Sequence, residues 1–99
     1  MIKNRLPILC PSCGQLLHAV RLGCAACGTA VEGEYDLPVL ARLSAEDQIF
    51  ILNLVRSSGS LKDLARLYGV SYPTVRNRLD ALIERVVRLE TEVTREKEV

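Results

Sequence analysis

The stretch SLKDLARLYGVSYPTVRNRLDALIERVVRL, from Ser60 to Leu89, decides the fold of this chain and predicts a short helix, a tight turn and a long second helix. Ser60 can cap the first helix, whose apolar residues recur at helical spacing. Gly69 ends that helix, because glycine enters the left-handed conformation without a Cβ clash. Ser71 can cap the second helix, and Pro73 fits its first turn, where a missing N–H is tolerated.

This stretch resembles helix-turn-helix regulators, and the resemblance covers about a third of the chain. It is carried by a small residue in the first helix, the turn itself and two apolar residues of the second helix: Ala65, Gly69, Val70, Val75 and Leu79. The resemblance implies that the start of the second helix enters the major groove of DNA. The alternative is a trihelical bundle that binds protein.

Helical geometry indicates which side chains would touch the DNA. With Val75 facing the core and about 100° of rotation per residue, Arg76 and Asn77 lie on the outer side, where they could pair with guanine and adenine. Arg78 lies nearer the flank, which suits a phosphate contact. The predicted DNA-binding set is Ser71, Tyr72, Thr74, Arg76, Asn77 and Arg78.

Four cysteines near the N-terminus form the pattern C-x₂-C-x₁₀-C-x₂-C, with a glycine after each pair: Cys10, Cys13, Cys24 and Cys27. Two-residue spacing lets both thiolates of a pair reach one ion at about 2.3 Å, and two pairs complete a tetrahedral shell. We therefore predict one structural Zn²⁺ per chain. The alternatives are two disulfides, which a reducing compartment disfavours, and a thioredoxin-like redox pair, which needs a βαβ context.

The segments around the cysteines have the composition of β-strands. Thr29 to Leu37 alternates apolar with mainly acidic residues, and Gln15 to Leu22 is also β-like. Residues 8–37 thus resemble a zinc ribbon, in which the metal replaces a core too small to stand alone. The predicted fold class is α+β, with three parts: a zinc ribbon over 1–37, an apolar junction over 38–43, and a three-helix module with an extended last helix over 44–99.

Another helix is predicted from Ala45 to Arg56, before the helix-turn-helix stretch. Ser44 caps it, and Asp47 stands three residues later in a variant of the capping box. Its apolar residues lie on almost every side: Ile49, Phe50, Ile51, Leu52, Leu54 and Val55. Because a helix that is apolar all round must be covered all round, one side needs either the ribbon or a second subunit.

The last helix carries an apolar seam with heptad-like spacing of 4, 3, 4, 3 and 4: Val75, Leu79, Leu82, Val86, Leu89 and Val93. In a coiled coil, valine at the a positions with leucine at the d positions favours a parallel pair of helices. We therefore predict a homodimer through Leu82, Val86, Leu89 and Val93. The alternative is a helix that folds back on its own subunit.

Composition limits the function classes that remain. The apolar runs are too short for a secretory signal or a membrane span, so we expect a cytoplasmic protein with no membrane partner. The formal net charge of +1 is small for a nucleic-acid binder, but residues 41–90 hold eight basic and six acidic residues. No cluster of catalytic residues is evident, so we predict that the chain is not an enzyme.

Taken whole, the four-cysteine ribbon, the junction LPVLARLS and the segment SYPTVRNRLD resemble a two-module prokaryotic family known as a domain of unknown function. The resemblance implies the architecture and no activity. Our hypothesis is a dimeric DNA-binding transcription regulator, in which Asp80 and Glu84 restrict docking to the first two turns of the second helix. The alternative is a non-enzymatic adaptor of the transcription or translation machinery, with a protein partner held through the ribbon.

Overall fold

The computed structural model describes residues 5–97, with side chains to residue 91, so residues 1–4, 98 and 99 of the predicted modules lie outside it. The chain divides between Arg42 and Leu43 into two compact units. The first unit holds a two-stranded antiparallel sheet and the second holds three helices. The predicted α+β class, a small antiparallel sheet followed by three helices of which the last is extended, is confirmed.

The N-terminal unit is built on strands β1 (Ala19–Gly23) and β2 (Ala30–Tyr35). Leu22 lies opposite Val31, and a bulge interrupts the register between Ala19 and Arg21. None of residues 5–42 is buried, and the apolar side chains of the sheet stay exposed. The unit therefore has no hydrophobic core of its own within the described residues, as expected for a ribbon that depends on a metal.

The predicted apolar junction forms one turn of 3₁₀ helix over Val39–Arg42. Nε of the Arg42 guanidinium donates to the carbonyl of Leu37 at 2.9 Å. This hydrogen bond ties the turn to the residue that precedes the junction. Leu43, the last residue of the predicted junction, is buried in the core of the helical unit. The change from ribbon to helical unit thus falls within the junction.

The helical unit consists of α1 (Ala45–Arg56), α2 (Leu61–Tyr68) and α3 (Tyr72–Lys97). Its predicted caps are confirmed: the hydroxyls of Ser44 and Ser60 accept from backbone N–H groups three residues later, at 3.1 and 3.2 Å. Gly69 ends α2 in the left-handed conformation, with φ 66° and ψ 34°. No helix within residues 5–97 is long and apolar enough to cross a membrane.

Six side chains form the core of the helical unit: Leu43, Phe50, Leu64, Ala65, Val75 and Leu82. Half-buried apolar residues of all three helices pack around them. The predicted apolar surplus of α1 is also present, because Ile49, Leu52 and Val55 remain exposed on its outer side. This stripe is not covered by the described part of the chain.

One ion pair of the helical unit was not foreseen. Asp47 in α1 accepts from Nε and Nη2 of Arg85 in α3, at 2.9 and 2.8 Å. The Asp47 side chain is 13% exposed and that of Arg85 is 42% exposed. Screening at the exposed end lowers the contribution of a bidentate pair to about 1–2 kcal/mol. The pair fixes α3 against the first turn of α1.

Candidate metal centre and nucleic-acid interface

The two cysteine pairs lie in turns with the same backbone hydrogen bonds. In each turn the N–H of the first cysteine donates to the carbonyl five residues later, at 2.8 Å for Cys10 and 2.7 Å for Cys24. The N–H of the glycine donates back to that cysteine, at 2.8 Å for Gly14 and 2.9 Å for Gly28. Both glycines have positive φ, 78° and 81°, a conformation that favours glycine.

Hydrogen bonds to sulfur favour the thiolate form in both turns. Backbone N–H groups, first that of Cys13 and then that of Ser12, lower the pKa of the Cys10 thiol below its ordinary value. The side chain of Thr29, followed by its backbone, does the same for the pKa of Cys27. The thiolate is the form that binds metal, so these hydrogen bonds favour metal binding by Cys10 and Cys27.

Each cysteine pair offers two thiols that are suitable ligands for zinc. All four cysteines are free thiols, and none is buried. Within a pair the two thiols are close enough to interact, Cys13 with Cys10 and Cys24 with Cys27. Among residues 5–97, however, no three His, Cys, Asp or Glu side chains come together as a metal-binding group. The structure thus shows two half-sites, each offering the soft ligands that zinc prefers.

The predicted DNA-binding residues lie at the start of α3, and all six are exposed. Ser71 caps the helix, since its hydroxyl accepts from the N–H of Thr74 at 3.3 Å and pairs with the Thr74 hydroxyl at 2.8 Å. Val75 is buried, as predicted, so Asn77 and Arg76 face outward, whereas Arg78, three residues after Val75, lies nearer the core side. The first two turns of the helix therefore present a mainly polar exposed surface.

Two arginines of this surface already have partners. Nε of Arg76 lies 3.4 Å from Oδ1 of Asp80, in an exposed pair along the helix. Such a pair contributes about 0.3–0.5 kcal/mol, so Arg76 can exchange it for a base edge. The guanidinium carbon of Arg78 lies 4.7 Å from the ring centre of Phe50 and 5.2 Å from that of Tyr68. Arg78 is thereby held against α1 and α2, an arrangement that sequence reasoning missed.

The described residues of the predicted dimer seam face the core of the helical unit in their own chain. Leu82 is 3% exposed, and Val86 and Leu89 pack against the core cluster. Val93 lies outside the residues whose side chains the structure describes. The exposed apolar pair in the middle of α3 is instead Ile83 and Val87, at 47% and 55%. Packing within the subunit therefore uses three of the four seam residues.

Comparison with known protein families gave two matches, in the order of the two units. A model described as the DUF2089 zinc ribbon matches residues 10–41. A second, described as the domain of unknown function (DUF2089)-HTH, matches residues 43–87. The first match begins at the first cysteine, and the second ends within α3. No curated protein and no solved structure matched the chain.

Proposed function

Because the chain belongs to the DUF2089 family and carries its zinc-ribbon and helix-turn-helix modules in order, we propose that it is a dimeric DNA-binding transcription regulator. The observation that carries the proposal is the exposed polar surface of the first two turns of α3, set on a helix-turn-helix. The proposal gives the chain no catalytic role. It places the protein in the cytoplasm, where thiols stay reduced.

In the proposed complex the N-terminal end of α3 enters the major groove. Free N–H groups and the helix dipole favour phosphate at this end, and the first turns reach the base edges. Arg76 and Asn77 read bases, while the residues around them contact the backbone: Ser71, Tyr72, Thr74 and Arg78. Asp80 and Glu84 would repel phosphate deeper in the groove, which limits the contact to two turns.

Each chain in the proposal holds one Zn²⁺ through Cys10, Cys13, Cys24 and Cys27. Support comes from the equal backbone frames of the two turns and from the four free thiols. Four thiolates would leave a bound ion no open position, so the ion would supply structural stability and not catalysis. The four cysteines would hold it between the two half-sites and so hold the ribbon together.

Replacing Arg76 with alanine should relax specificity at one base pair and weaken binding to a preferred duplex by about 1–3 kcal/mol. Replacing Arg78 should weaken binding to all sequences alike and lower the salt slope by about one. The measurement is fluorescence anisotropy on a duplex selected from a random pool by the zinc-loaded protein. Arg56→Ala, which removes one charge from α1, is the matched control and should leave affinity nearly unchanged.

If no duplex is enriched from the pool, the adaptor function becomes the better proposal. A specific observation favours it as the second candidate. The sheet of the ribbon exposes apolar side chains that a protein partner could cover: Val20, Leu22, Val31 and Tyr35. The small net charge of +1 is also compatible with a protein partner.

The proposed homodimer should give twice the chain mass in light scattering at tens of micromolar. The exposed residues Ile83 and Val87 provide the apolar surface on α3, and the outer stripe of α1 adds to it. Replacing both Ile83 and Val87 with serine should yield monomers, because it removes the apolar surface of the proposed contact. The monomers should stay folded, because these side chains lie outside the core of the helical unit. Leu67→Ser, which changes an exposed leucine of α2, is the control.

Substitutions in the predicted seam would not test the dimer separately from the fold. Val86 and Leu89 pack on their own core, so polar substitutions there would destabilise the subunit as well as any dimer. A monomer mass for the unmodified protein would contradict the dimer. An unchanged dimer mass for the Ile83 and Val87 double variant would move the contact to another surface.

A further inference from the structure

The two cysteine turns have the same backbone hydrogen bonds but different hydrogen-bond partners for their sulfur atoms. In the first turn, the donors to Cys10 Sγ are backbone N–H groups, among them that of Ser12 at 3.4 Å. In the second, the hydroxyl of Thr29 lies 3.1 Å from Cys27 Sγ. Gln15 occupies the position equivalent to Thr29, and its side chain makes no hydrogen bond within the described residues.

Thr29 contacts both cysteines of its pair. Its carbonyl accepts from the N–H of Cys24 at 2.7 Å, and its side-chain oxygen meets the sulfur of Cys27. A thiolate has no proton, so once Cys27 is a metal ligand the Thr29 hydroxyl must be the donor. The residue therefore spans the turn from the first cysteine to the second, immediately before β2 begins at Ala30.

We propose that Thr29 is a positioning residue for the metal site, whose hydroxyl orients the Cys27 thiolate towards the ion. The inference rests on the proposed zinc site. Outer hydrogen-bond partners of metal ligands fix the ligand's orientation, and losing one commonly weakens metal affinity about 10–100-fold. Within the described residues, the donors to Cys10 in the first turn, apart from its paired thiol, are backbone N–H groups. The site is consequently asymmetric, because in its second half the donor to sulfur includes the side chain of Thr29, which can be replaced.

The test compares zinc affinities of the full-length protein by competition with a chromogenic chelator. Thr29→Val keeps the β-branched shape and removes the hydroxyl, so zinc affinity should fall about tenfold or more. Thr29→Ser restores the donor and should bring affinity back towards that of the unmodified protein. Gln15→Val, at the equivalent position of the first turn, should leave affinity unchanged.

Two further measurements separate positioning from loss of the fold. The cobalt-loaded Thr29→Val protein should retain the charge-transfer absorption of a four-sulfur site, because no ligand is lost. In the zinc-loaded variant, alkylation followed by peptide mass analysis should modify Cys24 and Cys27 before Cys10 and Cys13. Equal rates for the two pairs would overturn the asymmetry.

The outcomes also distinguish this inference from the zinc proposal beneath it. If the unmodified protein binds zinc and Thr29→Val binds it within twofold as tightly, the role of Thr29 is overturned while the zinc site stands. An equal fall in Gln15→Val would overturn it as well. If the unmodified protein binds no zinc, the proposed metal site itself fails.

Discussion

Removing zinc, or replacing Cys10 with serine, should unfold the N-terminal unit while the helical unit keeps most of its structure. The reason is that residues 5–42 contain no buried side chain and only two strands. An isolated two-stranded hairpin is marginally stable at best in water. A structural zinc contributes about 10–16 kcal/mol of apparent binding free energy at neutral pH, which is also folding free energy for such a module.

Amide NMR spectra of the full chain measure this effect for both units at once. After chelation, the dispersed amide signals of β1 and β2 should collapse, whereas those of α1 to α3 should stay in place. Ser12→Ala is the matched control, since it alters the same turn but keeps all four thiols and the backbone donor to Cys10. A ribbon that survives chelation and has no titratable thiols would contradict the metal and indicate disulfides.

The parts of the fold that could be predicted from the sequence depend on a few consecutive residues. Ser44 and Ser60 were identified as caps because a cap needs only the N–H groups two or three residues away. Gly69 was identified as a helix end because the required backbone conformation favours glycine. The family matches likewise agree with the predicted order of zinc ribbon and helix-turn-helix. These features involve no long-range packing.

The strands were predicted less accurately than the helices. The expected strand over Gln15 to Leu22 is β1 at Ala19–Gly23, preceded by an isolated bridge between Leu9 and Leu16. A bulge shifts the register of β1 by one residue, and an alternating pattern does not encode such an insertion. Exposure on both faces of the sheet removes the contrast between inside and outside on which the pattern depends.

Contacts between distant residues left no signal in the sequence. Asp47 and Arg85 are 38 positions apart, and the sequence explains Asp47 as part of the capping box of α1 without any need for a distant partner. The position of Arg78 over the rings of Phe50 and Tyr68 could not be predicted, because it depends on how three helices pack. The seam of α3 was ambiguous for a related reason. Spacings of 4 and 3 place residues on one side of a helix, whether that side packs within a subunit or between two.

Replacing Phe50 with alanine should cost the helical unit about 3–5 kcal/mol, the usual range for truncating a buried phenylalanine. Phe50 is 1% exposed, and its ring stacks on Tyr68 with the ring centres 5.8 Å apart. Truncation also removes one of the two rings beneath the Arg78 guanidinium. Small domains are stable by about 5–15 kcal/mol, so this loss is a large share of the total.

Urea unfolding followed by far-ultraviolet circular dichroism measures the effect on the zinc-loaded full chain, because most of the signal comes from the three helices. Leu67→Ala is the matched control: this residue of α2 is 62% exposed and lies outside the proposed dimer contact, so its truncation should change stability by less than about 0.5 kcal/mol. Phe50→Leu should fall between the two, since leucine restores apolar contacts but offers Arg78 no ring. If Phe50→Ala unfolds at the same urea concentration as Leu67→Ala, Phe50 is not part of the core of the helical unit. The contact between Arg78 and the ring of Phe50 would then not help to hold α3 in place.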